Sequence, residues 1–235
     1  GQITATDVVS TTDSDANDIA LTTTVGDIRV ETVTAGAAGD ATLVSAANIT
    51  EDDEQLTVLT ADMLVATATG SITLDTAVTT ADISSTTTGS IDIDETTAIV
   101  LADIDTADGS ITVDAGGQIT ATDVVSTTDS DANDIALTTT VGDIIIGTVT
   151  AGVAGDATLV SAANVTEDGE QLTVLAADML IATAPGSITL DTAVTTADIS
   201  STATGSIDID ETDAILLADI DTADGSITVD AGGQI

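Results

Sequence analysis

An acidic hexapeptide occurs twice in the sequence, and its residue types could bind a metal ion. It reads Asp-Ser-Asp-Ala-Asn-Asp, starting at Asp13 and again at Asp129. Carboxylate and amide oxygens at alternate positions are the ligands that Ca²⁺ prefers in proteins. The candidate metal ligands are Asp13, Asp15, Asn17, Asp18, Asp129, Asp131, Asn133 and Asp134.

The hexapeptide matches only the opening of an EF-hand calcium loop. No Gly stands at the sixth position of that loop, and Thr24 and Thr140 stand where its closing Glu belongs. A full EF-hand is therefore excluded. An acidic turn that binds Ca²⁺ weakly remains, beside the alternative of a solvated loop whose Asp and Asn side chains cap the backbone. No cofactor is required by the residues present, and Ca²⁺ is the one ion that they suggest.

The residue types that are missing limit the function more than those that are present. The chain has no His, Cys, Phe, Tyr or Trp, and Arg29 is its one basic residue. The usual general bases and the amine and thiol nucleophiles are therefore absent, and we predict that the protein is not an enzyme. One Arg cannot neutralise a phosphate backbone or an anionic bilayer surface, which excludes nucleic acid and membranes as partners. No apolar run is long enough for membrane insertion.

The composition allows a core, but only a thin one. The chain carries 41 acidic residues and a formal net charge of −40, a balance that often leaves a chain disordered. Its hydrophobic content of 43% consists mainly of Ala, Ile, Val and Leu, which can pack together. Because no aromatic side chain is present, we expect a narrow interior filled by aliphatic residues.

A long tandem repeat divides the chain. Residues 1–116 recur almost unchanged as residues 117–232, and residues 233–235 begin the same sequence a third time. We predict three units on this basis: a first repeat, a second repeat and the start of a third. The restart also predicts that the sequence is an excerpt from a longer array.

A shorter period lies inside the long one. The motif Gly-Ser-Ile-x-apolar begins at Gly70, Gly89 and Gly109, and weaker versions precede Ile135 and follow Gly155 before Gly186 restarts it. This spacing divides each long repeat into five coils of 19, 20, 25, 21 and 31 residues. The longer coils are expected to bulge outward at residues 126–133 and 164–170. Residues Ile72, Ile91, Ile111 and Ile135 are predicted to stack as an internal ladder.

These segments have the pattern of strands with one buried face. Apolar residues alternate with polar ones, Thr, Val and Ile are frequent, and no helical stripe is present. A second motif of the form small-Asp-apolar contains Asp82, Asp103, Asp123 and Asp178. The fold class predicted is all-β: a parallel β-helix, or β-solenoid, of about ten stacked coils without helices. An array of β-sandwiches explains the long period but not the short one.

The predicted stacking brings like charges together. If Asp82 and Asp103 lie one coil apart, their carboxylates repel each other by roughly 1 kcal/mol in bulk water. Salt or divalent cations would relieve this repulsion, and we therefore expect Ca²⁺ or high ionic strength to stabilise the protein. The alternative is that exposed carboxylates tolerate the strain and prevent aggregation.

Two runs resemble the repeat regions of filamentous haemagglutinin-type bacterial adhesins. They are Gly-Ser-Ile-Thr-Val-Asp-Ala-Gly-Gly-Gln-Ile-Thr at 109–120 and Ile-Ala-Leu-Thr-Thr-Thr-Val-Gly-Asp-Ile at 135–144. The resemblance extends along essentially the whole chain through short motifs. It implies a right-handed parallel β-helix, secretion and a role at the cell surface, and it supplies no catalytic residues. The near-perfect long repeat and the extreme acidity depart from the adhesin pattern.

The sequence as a whole predicts a structural protein. We expect a repeat segment of a long extracellular β-solenoid filament or surface fibre, of the kind found in a sheath, stalk or biofilm matrix. Its expected partners are neighbouring repeats and like fibres, with divalent cations or surface polysaccharide as further candidates. The shaft of an adhesin that binds host or matrix ligands is the first alternative. A Ca²⁺-binding module, or an ice-binding module suggested by the Thr-rich runs 86–88 and 138–140, is the second.

Overall fold

The chain folds as a parallel β-solenoid of about ten coils, described by a computed structural model. Residues 1–12, 14, 16–51, 59–169 and 175–235 are described. Over these residues the chain forms 24 strands and no helix, so no helix long and apolar enough to cross a membrane occurs there. Every strand pairing in this part of the chain is parallel, which excludes the β-sandwich array.

In chain order, the strands are β1 (Ile3–Ala5), β2 (Val8–Val9), β3 (Ile19–Thr22), β4 (Ile28–Val30), β5 (Val33–Thr34), β6 (Ala41–Ser45), β7 (Ile49–Glu51), β8 (Leu59–Ala68), β9 (Ile72–Thr88), β10 (Ile91–Glu95), β11 (Ile99–Asp108), β12 (Ile111–Ala115), β13 (Ile119–Ala121), β14 (Val124–Ser126), β15 (Ile135–Thr139), β16 (Ile144–Ile146), β17 (Val149–Thr150), β18 (Ala157–Val160), β19 (Val165–Glu167), β20 (Leu175–Ala184), β21 (Ile188–Ser201), β22 (Ile207–Glu211), β23 (Leu216–Thr222) and β24 (Ile227–Ala231).

Alternation of buried and exposed residues explains why these segments are strands. In β10 the burial pattern is strictly alternating, with Ile91 and Ile93 inside and Asp92 and Asp94 outside. Each coil buries such residues against the coils before and after it, so the core is one continuous aliphatic column. A fully buried Ile stabilises the fold by about 1.5–3 kcal/mol, and the column contains many of them.

The predicted Ile ladder is confirmed and extends along the rod. Ile72 pairs with Ile91, Ile91 with Ile111, and Ile111 with Ile135. We call the complete row the first aliphatic ladder. It consists of Ile3, Ile28, Ile49, Ile72, Ile91, Ile111, Ile135, Ala157, Leu180, Ala197 and Leu217.

A second aliphatic ladder lies across the coil from the first. It consists of Ile99, Ile119, Ile144, Val165, Ile188, Ile207 and Ile227. From Ile119 onward, its members are the second-copy equivalents of first-ladder residues in the first copy. Ile72, for example, belongs to the first ladder, whereas its equivalent Ile188 belongs to the second. Equivalent residues therefore exchange sides of the coil from one copy to the next.

This exchange means that one long repeat contains about five and a half coils. Five pairings along the first ladder lead from Ile3 to Ile111, and the equivalent of Ile3, Ile119, lies a further part of a coil onward. The second copy is consequently turned by about half a coil relative to the first. No strand pairing is interrupted at the boundary between the copies, where β12 pairs with β15 and β11 with β13.

The register differs from the predicted coil division in two places. Ala157 pairs with Leu180, and Ile188 pairs with Val165, so the 31-residue coil predicted between Gly155 and Gly186 does not form. The cause is that β20 joins two sides of the coil in one long strand.

The small-Asp-apolar motif stacks only in part. Asp82 pairs with Asp103, and Val124 pairs with Ile104, as predicted. The motif around Asp178 does not continue this row, because the next residue, Met179, pairs with Thr196. Residues 127–134 form a loop between β14 and β15, close to the bulge predicted at 126–133. The bulge predicted at 164–170 is wrong for residues 165–167, which form β19 and pair with β16 and β21, and residue 170 lies outside the described residues.

The Gly-Ser-Ile motif marks a corner at which backbones of successive coils approach closely. A Cβ added to Gly89 would lie 2.3 Å from the carbonyl carbon of Gly70, and one added to Gly109 would lie 2.4 Å from the carbonyl oxygen of Gly89. The same approach recurs in the second copy along Gly186, Gly205 and Gly225. Glycine is needed here because any side chain would meet backbone atoms that cannot move aside.

Hydroxyl groups inside the coil fix the same corner. Ser85 Oγ donates a hydrogen bond of 2.9 Å to the carbonyl oxygen of Gly70, and Thr106 Oγ1 donates one of 2.7 Å to that of Gly89. Both hydroxyl residues are fully buried. Their hydrogen bonds satisfy carbonyl groups that turn away from the strand ladder at the corner.

Candidate functional site

In the second copy, three of the four candidate metal ligands bind groups of the protein. Asp129 Oδ1 accepts the backbone N–H of Ala154 at 2.8 Å, and Asp134 Oδ1 accepts that of Asp156 at 3.0 Å. Asn133 is 3% exposed and donates from Nδ2 to the carbonyl oxygen of Thr128 at 2.8 Å. Asp131 is exposed. These contacts are those of side chains that cap the backbone of a loop.

The first copy repeats part of this arrangement. Asp18 Oδ1 accepts the backbone N–H of Asp40 at 3.1 Å, and Asn17 Nδ2 donates to the carbonyl oxygen of Thr12. Asp13 and Asp15, the remaining two candidates, lie outside the described residues. The calcium prediction for these two residues therefore stays a prediction.

Asp18 and Asp134 each start a short capping chain along the rod. Asp156, whose N–H binds Asp134, in turn accepts the N–H of Met179 at 3.1 Å. In the first copy, Asp40 accepts the N–H of Met63 at 3.2 Å. Each carboxylate thus links its coil to the following one. Within the described ranges, no three acidic side chains come close enough together to hold a metal ion, and weak Ca²⁺ binding by the loops stays a prediction.

Carboxylates outside the core stack in rows one coil apart. The first acidic row contains Asp75, Asp94 and Asp114, which are paired in register. The second acidic row contains their equivalents Asp191, Asp210 and Asp230. Because the second copy is turned by about half a coil, the two rows lie on different sides of the rod. A third acidic row contains Asp82, Asp103 and Asp123.

A Glu precedes each of the first two rows. The backbone N–H of Asp75 donates to Glu51 Oε2 at 3.3 Å. The equivalent Glu167 binds the backbone of Asp191, while its Oε2 is buried and, among the described residues, accepts no hydrogen bond. Each of these two rows therefore extends over four consecutive carboxylates.

The stacking changes the acidity of these groups. The pKa is raised at Asp75, Asp82, Asp92, Asp94, Asp123, Asp156, Glu167 and Asp210. Partial burial is the largest cause at each, because removal of water disfavours the charged form, and repulsion by neighbouring carboxylates adds to it. At Asp94, for example, burial and then the charge of Asp114 raise the pKa.

Two carboxylates that the sequence patterns did not single out lie inside the solenoid. Glu95 is 3% exposed and Glu211 is 4% exposed. Glu95 Oε2 accepts the Thr76 hydroxyl and the Val78 N–H at 2.9 Å each, and Oε1 accepts the N–H and hydroxyl of Thr97 at 2.8 Å each. The alternation Ile-Asp-Ile-Asp-Glu at 91–95 contains the signal, because period 2 places Glu95 on the same side as the two Ile residues.

Glu211 repeats this buried site with one change. Its Oε2 accepts the Thr192 hydroxyl and the Val194 N–H at 2.9 Å each, and its Oε1 accepts the N–H of Asp213 at 3.0 Å. Asp213 replaces Thr97, and the second hydroxyl donor is instead that of Thr212, which donates to Glu211 Oε1 at 3.4 Å. A pocket of about 190 Å³ opens beside Glu211, with Val153 in its wall. Because both oxygens of Glu211 already accept hydrogen bonds, we assign the two Glu residues a structural role.

The Thr residues do not form a continuous outer face. In the outward row beside the first aliphatic ladder, Asp92 lies between Thr73 and Thr112. A flat ice-binding face needs Thr on each successive coil, and an ionised carboxylate interrupts it here. This arrangement gives no support to the ice-binding alternative.

Comparison with protein-family models, with curated proteins and with solved structures finds no match to this chain. The structure alone defines the class of protein, which is a parallel β-solenoid built from tandem repeats. The likeness to filamentous haemagglutinin-type adhesins depends on the short sequence motifs alone.

Acid is expected to stabilise this protein rather than unfold it. A carboxyl group whose pKa is higher in the folded chain than in the unfolded chain binds its proton more readily when folded. Above these raised pKa values the groups are ionised, and their charges lower the free energy of unfolding by the full amount. This destabilisation decreases as the pH falls through them, and it disappears below the unfolded values of 3.8 for Asp and 4.5 for Glu. We expect the melting temperature to increase by on the order of 5 °C as the pH falls from about 7.5 to about 4, close to the unfolded pKa values.

Circular dichroism of dilute protein measures this effect, and two Asn substitutions locate it. Asp94→Asn removes the central charge of the first acidic row. It should raise the melting temperature at pH 7.5 and reduce the increase on acidification. Asp7→Asn, at an exposed position in the turn between β1 and β2, serves as the control and should leave the pH dependence unchanged. A melting temperature that falls steadily from about pH 7.5 to about pH 4 would contradict the prediction.

Proposed function

We propose that this chain is a structural protein, a repeat segment of a long extracellular β-solenoid filament or surface fibre. The observation that carries the proposal is the uninterrupted strand pairing across the boundary between the two copies, from β12 to β15 and from β11 to β13. An added copy of the repeat lengthens such a rod without creating a hinge or a new interface. A filament, sheath or stalk uses this property.

The surface chemistry supports a non-catalytic role in an aqueous medium. A net charge of −40 keeps rods soluble and separates them from one another. The side chains that carry most nucleophilic and acid–base catalysis, His, Cys and Lys, are missing from the sequence. We infer partners of two kinds: further copies of the repeat along the rod, and cations around it.

Cations are expected to gather around the acidic rows. Like charges one coil apart, about 4.8 Å in a β ladder, repel each other, and counterions reduce this repulsion. We expect the melting temperature to rise with NaCl concentration, and to rise further in millimolar CaCl₂ than in NaCl of equal ionic strength. Equal melting temperatures in EDTA and in millimolar Ca²⁺ would rule out a specific contribution of calcium and leave general screening.

The shaft of an adhesin is the second candidate function. It is favoured by the motifs at 109–120 and 135–144, which resemble those of adhesin repeats. The same rod would then present a receptor-binding region elsewhere. No aromatic residue is present, and Arg29 is the one cation, so this segment offers few of the side chains that usually dominate protein recognition.

Cryo-electron tomography of intact cells that produce the chain, with antibody labelling before lysis, tests the proposed function. We expect labelled rods at the cell surface with axial layering of about 4.8 Å. Label that appears only after lysis would contradict the extracellular assignment. Label in compact particles instead of rods would contradict the filament.

A further inference from the structure

The pocket beside Glu211 lies on the side of the rod, where four successive coils meet. Its wall comes from the loop between β17 and β18, from β20, from β21, and from the end of β22 with the turn that follows it. The next coil continues past the pocket, because the N–H groups of Gly232 and Gly233 donate to the carbonyl oxygens of Glu211 and Asp213 at 2.9 and 2.8 Å. The pocket is therefore a feature of the stacked coils themselves.

Most of the residues that line this pocket are aliphatic. Among them are Val153, Ala177, Val194 and Ala214. Val153 is 77% exposed, the largest exposed fraction among the large aliphatic side chains of the described residues. The pocket volume of about 190 Å³ exceeds the roughly 150 Å³ of a cavity that holds one benzene molecule. A ligand of about five to seven non-hydrogen atoms therefore fits, and its apolar part covers Val153.

Glu211 adds a buried carboxylate to this apolar pocket. It is 4% exposed, and neither β22 nor its paired strands β21 and β24 contains a basic residue. Burial of a carboxylate is costly unless hydrogen bonds and a positive charge compensate it. The hydrogen bonds are present, whereas the neighbouring strands supply no positive charge. Asp213, which is exposed, brings a second negative charge to the same pocket. The polar groups of the pocket therefore favour a cation.

The equivalent carboxylate of the first copy has a more complete set of donors. Glu95 Oε1 accepts two hydrogen bonds of 2.8 Å from Thr97. Glu211 Oε1 accepts one of 3.0 Å from the N–H of Asp213 and a long one of 3.4 Å from the hydroxyl of Thr212. A carboxylate oxygen has two lone pairs that can accept hydrogen bonds. Glu211 Oε1 therefore retains capacity for a further donor.

Two differences between the copies change the pocket in the same direction. Val153 stands where the first copy has Ala37, and Asp213 stands where it has Thr97. The larger side chain extends the apolar wall, and the carboxylate replaces a neutral hydroxyl donor with a negative charge. Both differences favour a ligand that has an aliphatic part and a positive charge.

We propose that the pocket beside Glu211 binds a primary alkylammonium ion, in addition to the structural role of Glu211. The ammonium group donates to Glu211 Oε1 and is attracted by Asp213, and its aliphatic chain packs on Val153 and Val194. A guanidinium fork matches both oxygens of one carboxylate. Glu211 Oε2 already accepts two hydrogen bonds, so an ammonium group fits better.

The ligand comes from outside these 235 residues, which contain no Lys. Its source is a free amine or the lysine side chain of a partner, since both present the same ammonium group on an unbranched aliphatic chain. This inference does not rest on the proposed filament.

NMR titration of the full chain with n-butylammonium chloride tests the proposal. A constant ionic strength of about 0.2 M screens general attraction to the acidic surface. The backbone N–H signals of Val194 and Asp213, which donate to Glu211, should shift and saturate with a dissociation constant on the order of 1 mM. The signals of their first-copy equivalents, Val78 and Thr97, are the internal control and should not saturate in this range. n-Butanol, which has the same chain without the charge, should shift none of the four.

Two variants restore the first-copy residues to the pocket. Asp213→Thr should weaken binding by about tenfold, because one attractive charge is lost. Val153→Ala should weaken it by about threefold, because apolar contact area is lost. Asp208→Asn is the matched control: it removes a charge from the exposed side of β22, outside the pocket, and should leave the dissociation constant unchanged.

The reverse exchange should create a second site. Ala37→Val combined with Thr97→Asp gives the first copy the same pocket residues, and the N–H signal of Val78 should then saturate with n-butylammonium as that of Val194 does. Nα-acetyl-lysine methylamide distinguishes the two sources of the ligand. Binding as tight as that of n-butylammonium assigns the pocket to the lysine side chain of a partner, and binding at least about tenfold weaker assigns it to a free amine.

Three results would overturn the alkylammonium site. Equal shifts at Val194 and Val78 in the parent chain would show general counterion binding only. Equal binding of n-butanol would show that the charge has no part in it. An unchanged dissociation constant in Asp213→Thr, with a melting temperature like that of the parent, would remove Asp213 from the site. None of these results bears on the filament, which is tested on cells.

Discussion

Replacement of Glu95 by leucine is expected to lower the free energy of unfolding by about 3–5 kcal/mol, because two buried donors lose their acceptor and each costs roughly 1–3 kcal/mol. The buried donors are the N–H of Val78 and the hydroxyl of Thr76, and the exposed Thr97 also loses the acceptor of its N–H and hydroxyl. Urea denaturation followed by circular dichroism gives the change.

Two effects oppose each other in this variant. Removal of a buried carboxylate eliminates its desolvation cost, and substitution of buried charges by apolar residues can stabilise a protein when all partners change together. Here the partners remain, and the N–H of Val78 belongs to the backbone and cannot be removed. The unsatisfied donors are therefore expected to dominate.

Matched variants separate the hydrogen bonds from the charge. Glu95→Gln keeps one acceptor oxygen and should lose about half as much stability as Glu95→Leu. Asp92→Leu removes the same charge from the outward side of the same strand and should not lower stability, because burial and neighbouring carboxylates raise the pKa of Asp92 and make its charge unfavourable. Glu211→Leu should cost somewhat less than Glu95→Leu, because the second hydroxyl there comes from Thr212 at 3.4 Å, against 2.8 Å from Thr97 to Glu95. Stability of Glu95→Leu equal to that of the parent would refute the structural role of the buried Glu.

Replacement of Gly89 by alanine is expected to destabilise the protein by about 3 kcal/mol or more, since its Cβ would overlap backbone atoms of the preceding coil. That Cβ would lie 2.3 Å from the carbonyl carbon of Gly70 and 2.5 Å from the backbone nitrogen of Ser71. Neither atom belongs to a flexible side chain. The two coils would have to separate at this corner, which would weaken the strand pairing on both sides of it.

Thr88→Ala provides the control for Gly89→Ala. Thr88 is the adjacent residue, is exposed, and should tolerate alanine with little change in melting temperature. Gly205→Ala in the second copy meets the carbonyl carbon of Gly186 at 2.1 Å and should behave like Gly89→Ala. A melting temperature of Gly89→Ala that matches Thr88→Ala would show that the corner can expand at little cost.

The strand pattern and the coil spacing could be predicted because both are local. Period-2 alternation requires only that one side of a strand is buried, and the Gly-Ser-Ile motif recurs where the backbones of successive coils approach closely at one corner. The ladder from Ile72 to Ile135 follows from these two facts. The acidic rows follow in turn, because outward positions stack whenever inward positions do.

The contacts of the acidic loops were harder to predict. Asp129 and Asp134 have the spacing of metal ligands, yet each accepts a backbone N–H of the following coil. The following coil lies more than twenty residues away in the sequence, so a local motif contains no sign of it. Glu95 was missed for a related reason: a charged residue is assigned to the surface unless its strand phase is examined.

The sequence by itself determined that this chain forms stacked parallel strands around a thin aliphatic core, with carboxylates outside. The tertiary structure decided how the coils divide the repeat. The members of both aliphatic ladders are Ile, Val, Leu or Ala, so Ile72 and Ile188 fit either aliphatic ladder equally well. Only the pairing of all strands together places them on different sides. The half-coil turn between copies is therefore a property of the whole stack and not of any one motif.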